Sequence, residues 1–379
     1  MSRVRVGVIF GGRSVEHEVS LVSARAVLQH LDRARYEVVP IGVSHEGRWL
    51  TSGDARALLD GGVDAAETSD ATPAALTGDP TVRGLVPTTP GGPSQRVALD
   101  VVFPLIHGTG GEDGTLQGLL ELAGLPYVGS GVLGSSVGMD KGVMKAVFQS
   151  AGLPCAPWRL VTRRRIAEDA SAIAREVDET LGYPCFTKPC NGGSSVGVSK
   201  VKSRAGLAGA LQLAAQYDRR VLIEQGIDGQ EVECAVLGND APQASIVGEI
   251  VPSREFYDYQ AKYVDEGSQL LIPARIGEAQ AARVRELSLA AFRALDLAGM
   301  ARVDFFVRRV DGAVLINEVN TIPGFTPISM YPRLWEASGL PFAALVDRLV
   351  QLALERHEER QATRREYAPG QEAPGAPLT

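Results

Sequence analysis

Hydrophobic and polar positions follow strand and helix periods in turn over the first third of the chain. Apolar strand patterns occupy residues 4–10, 36–43, 97–106 and, briefly, 127–128. Helical patterns lie between them: one begins near Ser14, a candidate N-cap, and another covers residues 116–122. Strands that alternate with helices are typical of a mainly parallel sheet between helical layers. We therefore predict an α/β domain over residues 1–138.

A second order of elements follows Met139. Helical patterns at 141–151 and 167–181 are interspersed with strand patterns at 157–161, 185–188, 196–201 and 221–225. We predict a second domain over residues 139–225 and a third over 226–358, which ends in a helix from Pro341. The Gly-, Thr-, Pro-, Asp- and Ala-rich residues 61–95 predict a loop-rich excursion. The polar residues 359–379 predict a disordered tail.

Residues 302–320 are the most informative stretch, because two apolar runs flank an Asp-Gly turn signal at Asp311–Gly312. A two-residue loop there would place Asp304 opposite Val319 and would split the polar groups between the faces. A three-residue loop, 310–312, places Asp304 opposite Glu318. We predict this register, or any odd loop or bulge of the same parity. One face then carries Arg302, Asp304, Glu318 and Asn320, and the other, core-facing side carries Val303, Phe305, Val307, Leu315 and Val319.

Carboxylates among apolar neighbours are costly to bury unless they are paired or bind a metal. The oxygen donors of Asp304, Glu318 and Asn320 suit Mg²⁺, which is a hard cation. The alternative is an amphipathic edge hairpin with solvated charges.

A glycine- and serine-rich stretch follows the strand pattern at 185–188 and reads Lys-Pro-Cys-Asn-Gly-Gly-Ser-Ser-Val-Gly from Lys188. Successive backbone N–H groups in such a segment form an anion-binding concavity, and Ser194 and Ser195 add hydroxyl donors. The stretch lies between two strands and lacks the Walker A pattern. We predict a strand–loop–strand phosphate flap; an ordinary Gly-rich hairpin turn is the alternative.

Residues 129–134 match the dinucleotide fingerprint Gly-x-Gly-x-x-Gly, which leaves a nicotinamide-binding oxidoreductase as one alternative. No acidic residue stands near position 150 to bind a ribose, so a connection between the first two domains is favoured. Glu16 and His107 follow the first and third strands, at the strand ends where such sheets bind ligands. Glu224 and Glu231, beside the strand at 221–225, are candidates for ribose hydroxyls.

Composition narrows the class of protein. The 379 residues are 45% hydrophobic and 22% charged, with a net charge of −7, which argues against a general nucleic-acid binder. No apolar run approaches 18 residues and no signal-peptide core is present, so we expect no membrane span and a cytoplasmic protein. Four cysteines without a Cys-x-x-Cys pair fit a reducing compartment. Lysine is rare, with six against 32 arginines, yet Lys141, Lys188 and Lys262 all fall in the segments that carry these motifs.

Taken together, the motifs resemble the D-alanine–D-alanine ligases of the ATP-grasp superfamily over residues 4–355. The matching segments are Gly11–Ser20, His107–Gly118, Gly129–Lys141, Lys188–Gly197, Phe256–Tyr263, Arg302–Asp304 and Asn317–Phe325. The resemblance implies a doubly wound N-terminal α/β domain followed by two α+β domains that sandwich the nucleotide. It implies ATP as a substrate, two Mg²⁺ or Mn²⁺ ions, two D-alanine molecules and a homodimer, without nucleic acid or membrane as partners.

The resemblance also implies roles for individual residues. Asp304, Glu318 and Asn320 would bind the metals; Lys141, Lys188, Ser195, Glu224, Glu231 and Lys262 would bind ATP; Glu16, Ser194, Tyr263, Arg302 and Gly324 would be catalytic; and His107 and Ser329 would bind the amino acids. Tyr263 favours an amine as the second substrate, because the related D-alanine–D-lactate ligases lack this tyrosine. A D-alanine–D-lactate ligase and a nucleotide-binding regulator without turnover remain alternatives. The resemblance assigns no role to Cys190, which would either make the flap thiol-sensitive or simply pack.

Overall fold

The computed structural model describes residues 3–60, 73–88, 96–252 and 269–364. The N-terminal elements are β1 (Val4–Gly11), α1 (His17–His30), β2 (Tyr36–Val43), β3 (Trp49–Thr51), α2 (Ser52–Leu59), β4 (Ala74–Leu76), β5 (Gly84–Pro87), β6 (Val97–Ala98), β7 (Val101–Pro104), α3 (Thr115–Leu122) and α4 (Val132–Met139). The first sheet has the order β3-β2-β1-β7, in which β1 pairs in parallel with β2 and β7. The α/β architecture predicted from the sequence is confirmed.

Both faces of this sheet are covered, which explains why β1 is apolar at nearly every position. Val6, Val8 and Phe10 belong to one core, and Ile9 belongs to another on the opposite face, which it shares with α3. Parallel order brings the carboxyl ends of β1 and β7 to one edge. The loops that carry Glu16 and His107 leave the sheet at this edge.

Among the local predictions for this part, one was incomplete and two were wrong. The stretch 61–95 is not loop throughout, because β4 and β5 lie in it and join β6 in a three-stranded antiparallel sheet. The strand predicted over 97–106 breaks into β6 and β7 at Asp100, whose carboxylate accepts hydrogen bonds from the backbone and side chain of Arg5. The helix expected near Ser14 begins at His17, and Ser14 Oγ instead accepts a bond from the Glu16 N–H.

The central elements are α5 (Lys141–Ser150), β8 (Trp158–Thr162), α6 (Arg163–Thr180), β9 (Cys185–Pro189), β10 (Ser199–Val201), α7 (Arg204–Tyr217) and β11 (Arg220–Gln225). The sheet β10-β9-β11-β8 is antiparallel throughout, and α6 and α7 pack on it around Ile173, Leu211 and Val221. The predicted flap is the connection between β9 and β10. The flap therefore joins β9 to β10, which is an edge strand of this sheet.

The C-terminal elements are β12 (Gly229–Gly238), β13 (Gln243–Val251), β14 (Gln269–Leu271), α8 (Glu278–Ala294), β15 (Gly299–Arg308), β16 (Val314–Asn320), α9 (Met330–Ala337) and α10 (Phe342–Gln361). Five strands form an antiparallel sheet in the order β14-β13-β12-β15-β16, and α8 covers one of its faces. The last helix, α10, packs back against the N-terminal sheet: Leu345 and Leu349 share a core with Val6 and Phe103. Within the described ranges no single helix is long and apolar enough to cross a membrane; α9 and α10 meet that test only as a pair, across a 105° bend.

Candidate active site

One cavity of about 1060 Å³ lies where the three parts of the chain meet. Sixteen site residues were predicted from the sequence, and fourteen of them line this cavity. They are Glu16, His107, Lys141, Lys188, Ser194, Ser195, Glu224, Glu231, Arg302, Asp304, Glu318, Asn320, Gly324 and Ser329. The other two, Lys262 and Tyr263, lie outside the described residues, as does the whole matching segment Phe256–Tyr263.

The hairpin of β15 and β16 has the predicted register at its four polar residues. Arg302 lies opposite Asn320, and Asp304 lies opposite Glu318. The predicted three-residue loop is wrong: near the turn Val307 pairs with Val314, and a bulge after Asp304 restores the parity. The extra residue of a bulge shifts one strand by one position. As a result Val314 and Ile316 are buried on the core side, and Leu315, predicted there, is only half-buried.

Arg302 is held in a fork of carboxylates. Its Nε and Nη2 donate to the two oxygens of Asp304 at 2.7 and 2.8 Å, and Nε lies 2.9 Å from Glu233 Oε2. Burial alone would lower the pKa of Arg302, but Asp304 and Glu233 raise it well above its usual value. Glu233 was missed in the sequence. The sequence did contain an indication of its role: Glu233 stands two residues from Glu231 on a strand, and residues so spaced share a face.

A second charged cluster surrounds Glu224, which is buried. Lys188 Nζ donates to Glu224 at 2.8 Å and to the side chain of Asn317 at 3.2 Å. Lys145, also buried, pairs with the other oxygen of Glu224 and donates to the Asn317 carbonyl at 3.2 Å. Burial opposes the ionised form of Glu224, but Lys145 and Lys188 together lower its pKa below the usual range.

Lys145 was also missed, although two signals pointed to it. It is one of the six lysines, and it follows Lys141 by four residues on α5, so that both lie on one helix face. Lys141 itself donates to the Gly192 carbonyl at 2.8 Å and lies 3.4 Å from Glu318. It therefore links the flap to the hairpin.

The flap contacts the N-terminal domain through Ser194, whose hydroxyl donates to Glu16 Oε1. Ser194 and Ser195 have positive φ angles of 48° and 59°, a strained conformation for residues with a Cβ that clusters at functional sites. A Cβ at Gly193 would lie 2.4 Å from Glu16 Oε2, so any larger residue would displace the Glu16 carboxylate. The chain in this region is shaped to bring backbone close to Glu16.

Glu112 is a third group that the sequence did not reveal, and it is half-buried. Its Oε2 accepts from the Gly108 N–H at 2.6 Å, and its Oε1 accepts from the Ile322 N–H at 3.0 Å. Burial and the charge of Glu16 raise the pKa of Glu112 to about 8, although the two N–H donors act in the opposite direction. Burial lowers the pKa of the neighbouring His107, which favours its neutral form.

Cys190 lies at the start of the flap and is fully buried. Burial raises the pKa of its thiol to about 12, so the reactive thiolate is scarce at neutral pH. We expect a maleimide to leave Cys190 largely unmodified in the folded protein and the protein's activity within about twofold of that of untreated protein. Mass spectrometry of the Cys190 peptide would check labelling. Inactivation that a Cys190→Ala variant escapes would contradict this expectation.

Two other groups were tested as alternatives. The segment 129–134 packs against Asp296–Gly299 and is not part of the cavity lining; a Cβ at Gly134 would lie 2.5 Å from the Asp296 carbonyl oxygen. His17, Glu18 and His45 bring three potential metal ligands together, but the two imidazole rings are stacked 3.8 Å apart. A metal ion binds in the plane of an imidazole, so stacked rings cannot share one ion as they stand.

The chain matches two family models: "D-ala D-ala ligase N-terminus" over residues 5–130 and "D-ala D-ala ligase C-terminus" over residues 147–351. It is 50% identical over 365 residues to the D-alanine–D-alanine ligase of Thermoanaerobacter sp. (strain X514), covering 95% of this chain and 99% of that one. It is 49% identical over 360 residues to the ligase of Geobacillus thermodenitrificans (strain NG80-2), covering 95% and 98%.

Solved structures give the same picture. The D-alanine–D-alanine ligase from Coxiella burnetii superposes with a TM-score of 0.83 at 37% identity, covering 95% of this chain and 97% of that one. The VanG D-Ala:D-Ser ligase from Enterococcus faecalis also has a TM-score of 0.83, at 36% identity, with 93% and 100% covered.

Proposed function

The chain belongs to the D-alanine–D-alanine ligase family, and we propose that the cavity lined by the fourteen predicted residues is its active site. The protein is an ATP-dependent ligase that joins two D-alanines into D-alanyl-D-alanine for peptidoglycan. A carboxylate oxygen of the first D-alanine takes the γ-phosphoryl group of ATP, which gives an acyl phosphate and ADP. The amine of the second D-alanine then attacks the acyl carbon, loses a proton, and phosphate leaves.

The hairpin has the donor set for divalent cations, and we propose that Asp304, Glu318 and Asn320 hold two Mg²⁺ or Mn²⁺ ions. Support comes from the paired register of the two carboxylates and from Asn320, whose Nδ2 donates to Asp304 at 3.0 Å and so leaves its oxygen for a metal. When bound, such ions neutralise the charge of the phosphates and hold them in line for transfer. Lys141 and Arg302 already balance these carboxylates with positive charge.

For ATP, we propose that Lys141, Lys188 and the flap residue Ser195 contact the phosphates and that Glu231 binds the ribose. All four line the cavity. Glu224 and Lys145 act indirectly, through Lys188. Glu224 pairs with both Lys145 and Lys188, and it thereby fixes Lys188 beside Asn317. Lys262 is proposed for the phosphates by resemblance alone.

For the first D-alanine, we propose that Glu16 binds the ammonium group and that His107 lines the pocket. Glu16 is buried, and its Oε2 has no hydrogen-bond partner among the described residues. An unpaired buried carboxylate oxygen costs free energy, which a cationic ligand group would recover. Ser194 joins Glu16 to the flap, and Tyr263 is proposed as the third member of this set. A closed flap would exclude the water that hydrolyses acyl phosphates.

For the second step, we propose that Arg302 and the Gly324 N–H stabilise the oxyanion of the tetrahedral intermediate and that Ser329 binds the second carboxylate. Gly324 and Ser329 are in close contact: a Cβ at Gly324 would lie 2.7 Å from Ser329 Oγ. Donors aimed at a developing oxyanion act strongly in a water-excluded site.

The decisive experiment is incubation with ATP, Mg²⁺ and D-alanine, with ADP and the peptide product measured by chromatography and mass spectrometry. We expect D-alanyl-D-alanine, and no ADP release with L-alanine. Parallel reactions with D-lactate or D-serine test the second substrate. A depsipeptide or D-alanyl-D-serine as the main product at neutral pH would contradict the assignment, as would binding of NADH in place of ATP.

We also propose that the enzyme is a cytoplasmic homodimer. Family membership supports the dimer. The four cysteines, all of which are free thiols, support a reducing compartment.

A further inference from the structure

The loop 321–325 joins the metal-binding strand β16 to the segment before α9, and it carries Gly324. Although it belongs to the C-terminal part of the chain, its backbone is bonded to side chains of the N-terminal domain. The Ile322 N–H donates to Glu112 Oε1 at 3.0 Å, and the Ile322 carbonyl lies 3.1 Å from His107 Nδ1. The Phe325 N–H donates to Ser23 Oγ at 3.2 Å.

These bonds form a chain with one consistent direction. The Ile322 carbonyl can only accept, so His107 Nδ1 carries the proton and Nε2 is an acceptor in the neutral ring. His107 Nε2 lies 3.0 Å from Ser23 Oγ, so the Ser23 hydroxyl donates to it. The path therefore runs from the Phe325 N–H through Ser23 and His107 back to the Ile322 carbonyl. It closes a ring across Pro323 and Gly324.

The ring is closed to solvent. Ser23 and Phe325 are fully buried, and His107 and Ile322 are each less than 5% exposed. Losing one partner would leave a buried polar group without a hydrogen bond, which is costly. The Phe325 side chain is fixed as well, packing edge-on against Phe103 with ring centroids 5.8 Å apart.

We propose that Ser23 and Glu112, acting with His107, clamp the loop 321–325 and thereby set the direction of the Gly324 N–H. Ser23 and Glu112 are positioning residues: Ser23 does not line the cavity, Glu112 lines it but is bonded to backbone N–H groups, and each acts through the backbone on either side of Gly324. This inference rests on the proposed function of Gly324 as an oxyanion donor. It adds that the N-terminal domain contributes to the second chemical step, attack by the amine, and not only to binding the first D-alanine.

The test separates the two chemical steps. Reversible acyl phosphate formation moves ¹⁸O from the β,γ-bridge of labelled ATP to a non-bridging β position, whereas dipeptide release reports completion of the second step. In Ser23→Ala, Phe325 loses its acceptor. In Glu112→Gln, the N–H of either Gly108 or Ile322 faces the new amide NH₂ and loses its acceptor. For both we expect dipeptide kcat to fall about tenfold or more. The ratio of isotope exchange to dipeptide should rise by a similar factor, with KM for ATP unchanged.

Ser20→Ala is the matched control. Ser20 is equally buried on the same helix, but its hydroxyl bonds to the Gly11 N–H and the Leu105 carbonyl, within the N-terminal domain. We expect its exchange-to-dipeptide ratio to equal that of the wild type, even if it lowers the melting temperature. The proposed clamp is wrong if isotope exchange and dipeptide synthesis fall together in Ser23→Ala or Glu112→Gln. It is also wrong if a folded variant keeps both rates at the wild-type level. Wild-type protein that forms no dipeptide would instead contradict the proposed function itself.

Discussion

Replacing Asp304 by asparagine is expected to lower D-alanine-dependent ADP release on the order of 1000-fold, because metal-assisted charge neutralisation is worth several kcal/mol. Asparagine has the same shape but loses the negative charge and one of the two donor oxygens, so it binds a hard cation more weakly than aspartate does. The fold should survive, since Arg302 keeps Glu233 as a buried counter-ion 2.9 Å away. A coupled assay for ADP gives the rate, and Mn²⁺ titration followed by electron paramagnetic resonance measures the loss of metal binding directly.

Asp311→Asn on the same hairpin is the control for this prediction. Asp311 pairs with Arg308 through two hydrogen bonds, but the pair is exposed and neither residue lines the cavity. Exposed pairs contribute little to stability, so this variant should keep nearly full activity. An Asp304→Asn enzyme with near-normal turnover, or with unchanged Mn²⁺ affinity, would overturn the metal assignment.

The hairpin shows how much of the structure could be predicted from the sequence. Parity alone correctly placed Arg302 and Asp304 opposite Asn320 and Glu318, because one buried face constrains register strongly. How the parity arises was beyond prediction from the chain. The structure uses an even turn and a bulge in β16, and bulges carry no firm sequence signature, so Leu315 was assigned to the wrong face.

Residues that line the cavity were easier to predict than residues that hold them in place. The fourteen that line the cavity stand in short motifs of glycines, carboxylates and lysines. Four residues were missed because each matters through partners elsewhere in the chain: Ser23, Glu112, Lys145 and Glu233. Ser23, for example, accepts a hydrogen bond from the N–H of Phe325, which lies 302 residues later. Burial of a polar group is a property of the fold and not of the local pattern.

Long-range packing was the other limit. The sequence placed the last helix in the third domain. α10 contacts β12 and β15 of that part, and it also covers β7 of the N-terminal sheet and shares its core, which the sequence did not indicate. Likewise β4 and β5 were hidden in a stretch of loop-like composition, because three- and four-residue strands have too few positions to show a period.

Arg302→Lys is expected to reduce dipeptide kcat by about 100- to 1000-fold, which is the loss typical of removing one oxyanion donor. The guanidinium engages both oxygens of Asp304 at 2.7 and 2.8 Å and Glu233 at 2.9 Å, so its position is fixed by a planar fork. A lysine ammonium keeps the charge but cannot reproduce that geometry. The measurement is dipeptide release together with ¹⁸O exchange in ATP. Isotope exchange should decline far less than dipeptide release, because we propose that acyl phosphate formation depends on the metals and lysines and not on Arg302.

The matched control for this substitution is Arg308→Lys, at the exposed end of the same strand. Arg308 makes the same two-pronged contact, with Asp311, but outside the cavity. The same chemical change there should leave kcat within about twofold, because an exposed pair is worth little. If Arg302→Lys lowers isotope exchange and dipeptide release equally, Arg302 serves the first step or the metal site. A rate within threefold of the wild type, in turn, would remove Arg302 from the transition state altogether. Only a selective loss of the second step supports an oxyanion site built from this guanidinium and the clamped Gly324 N–H.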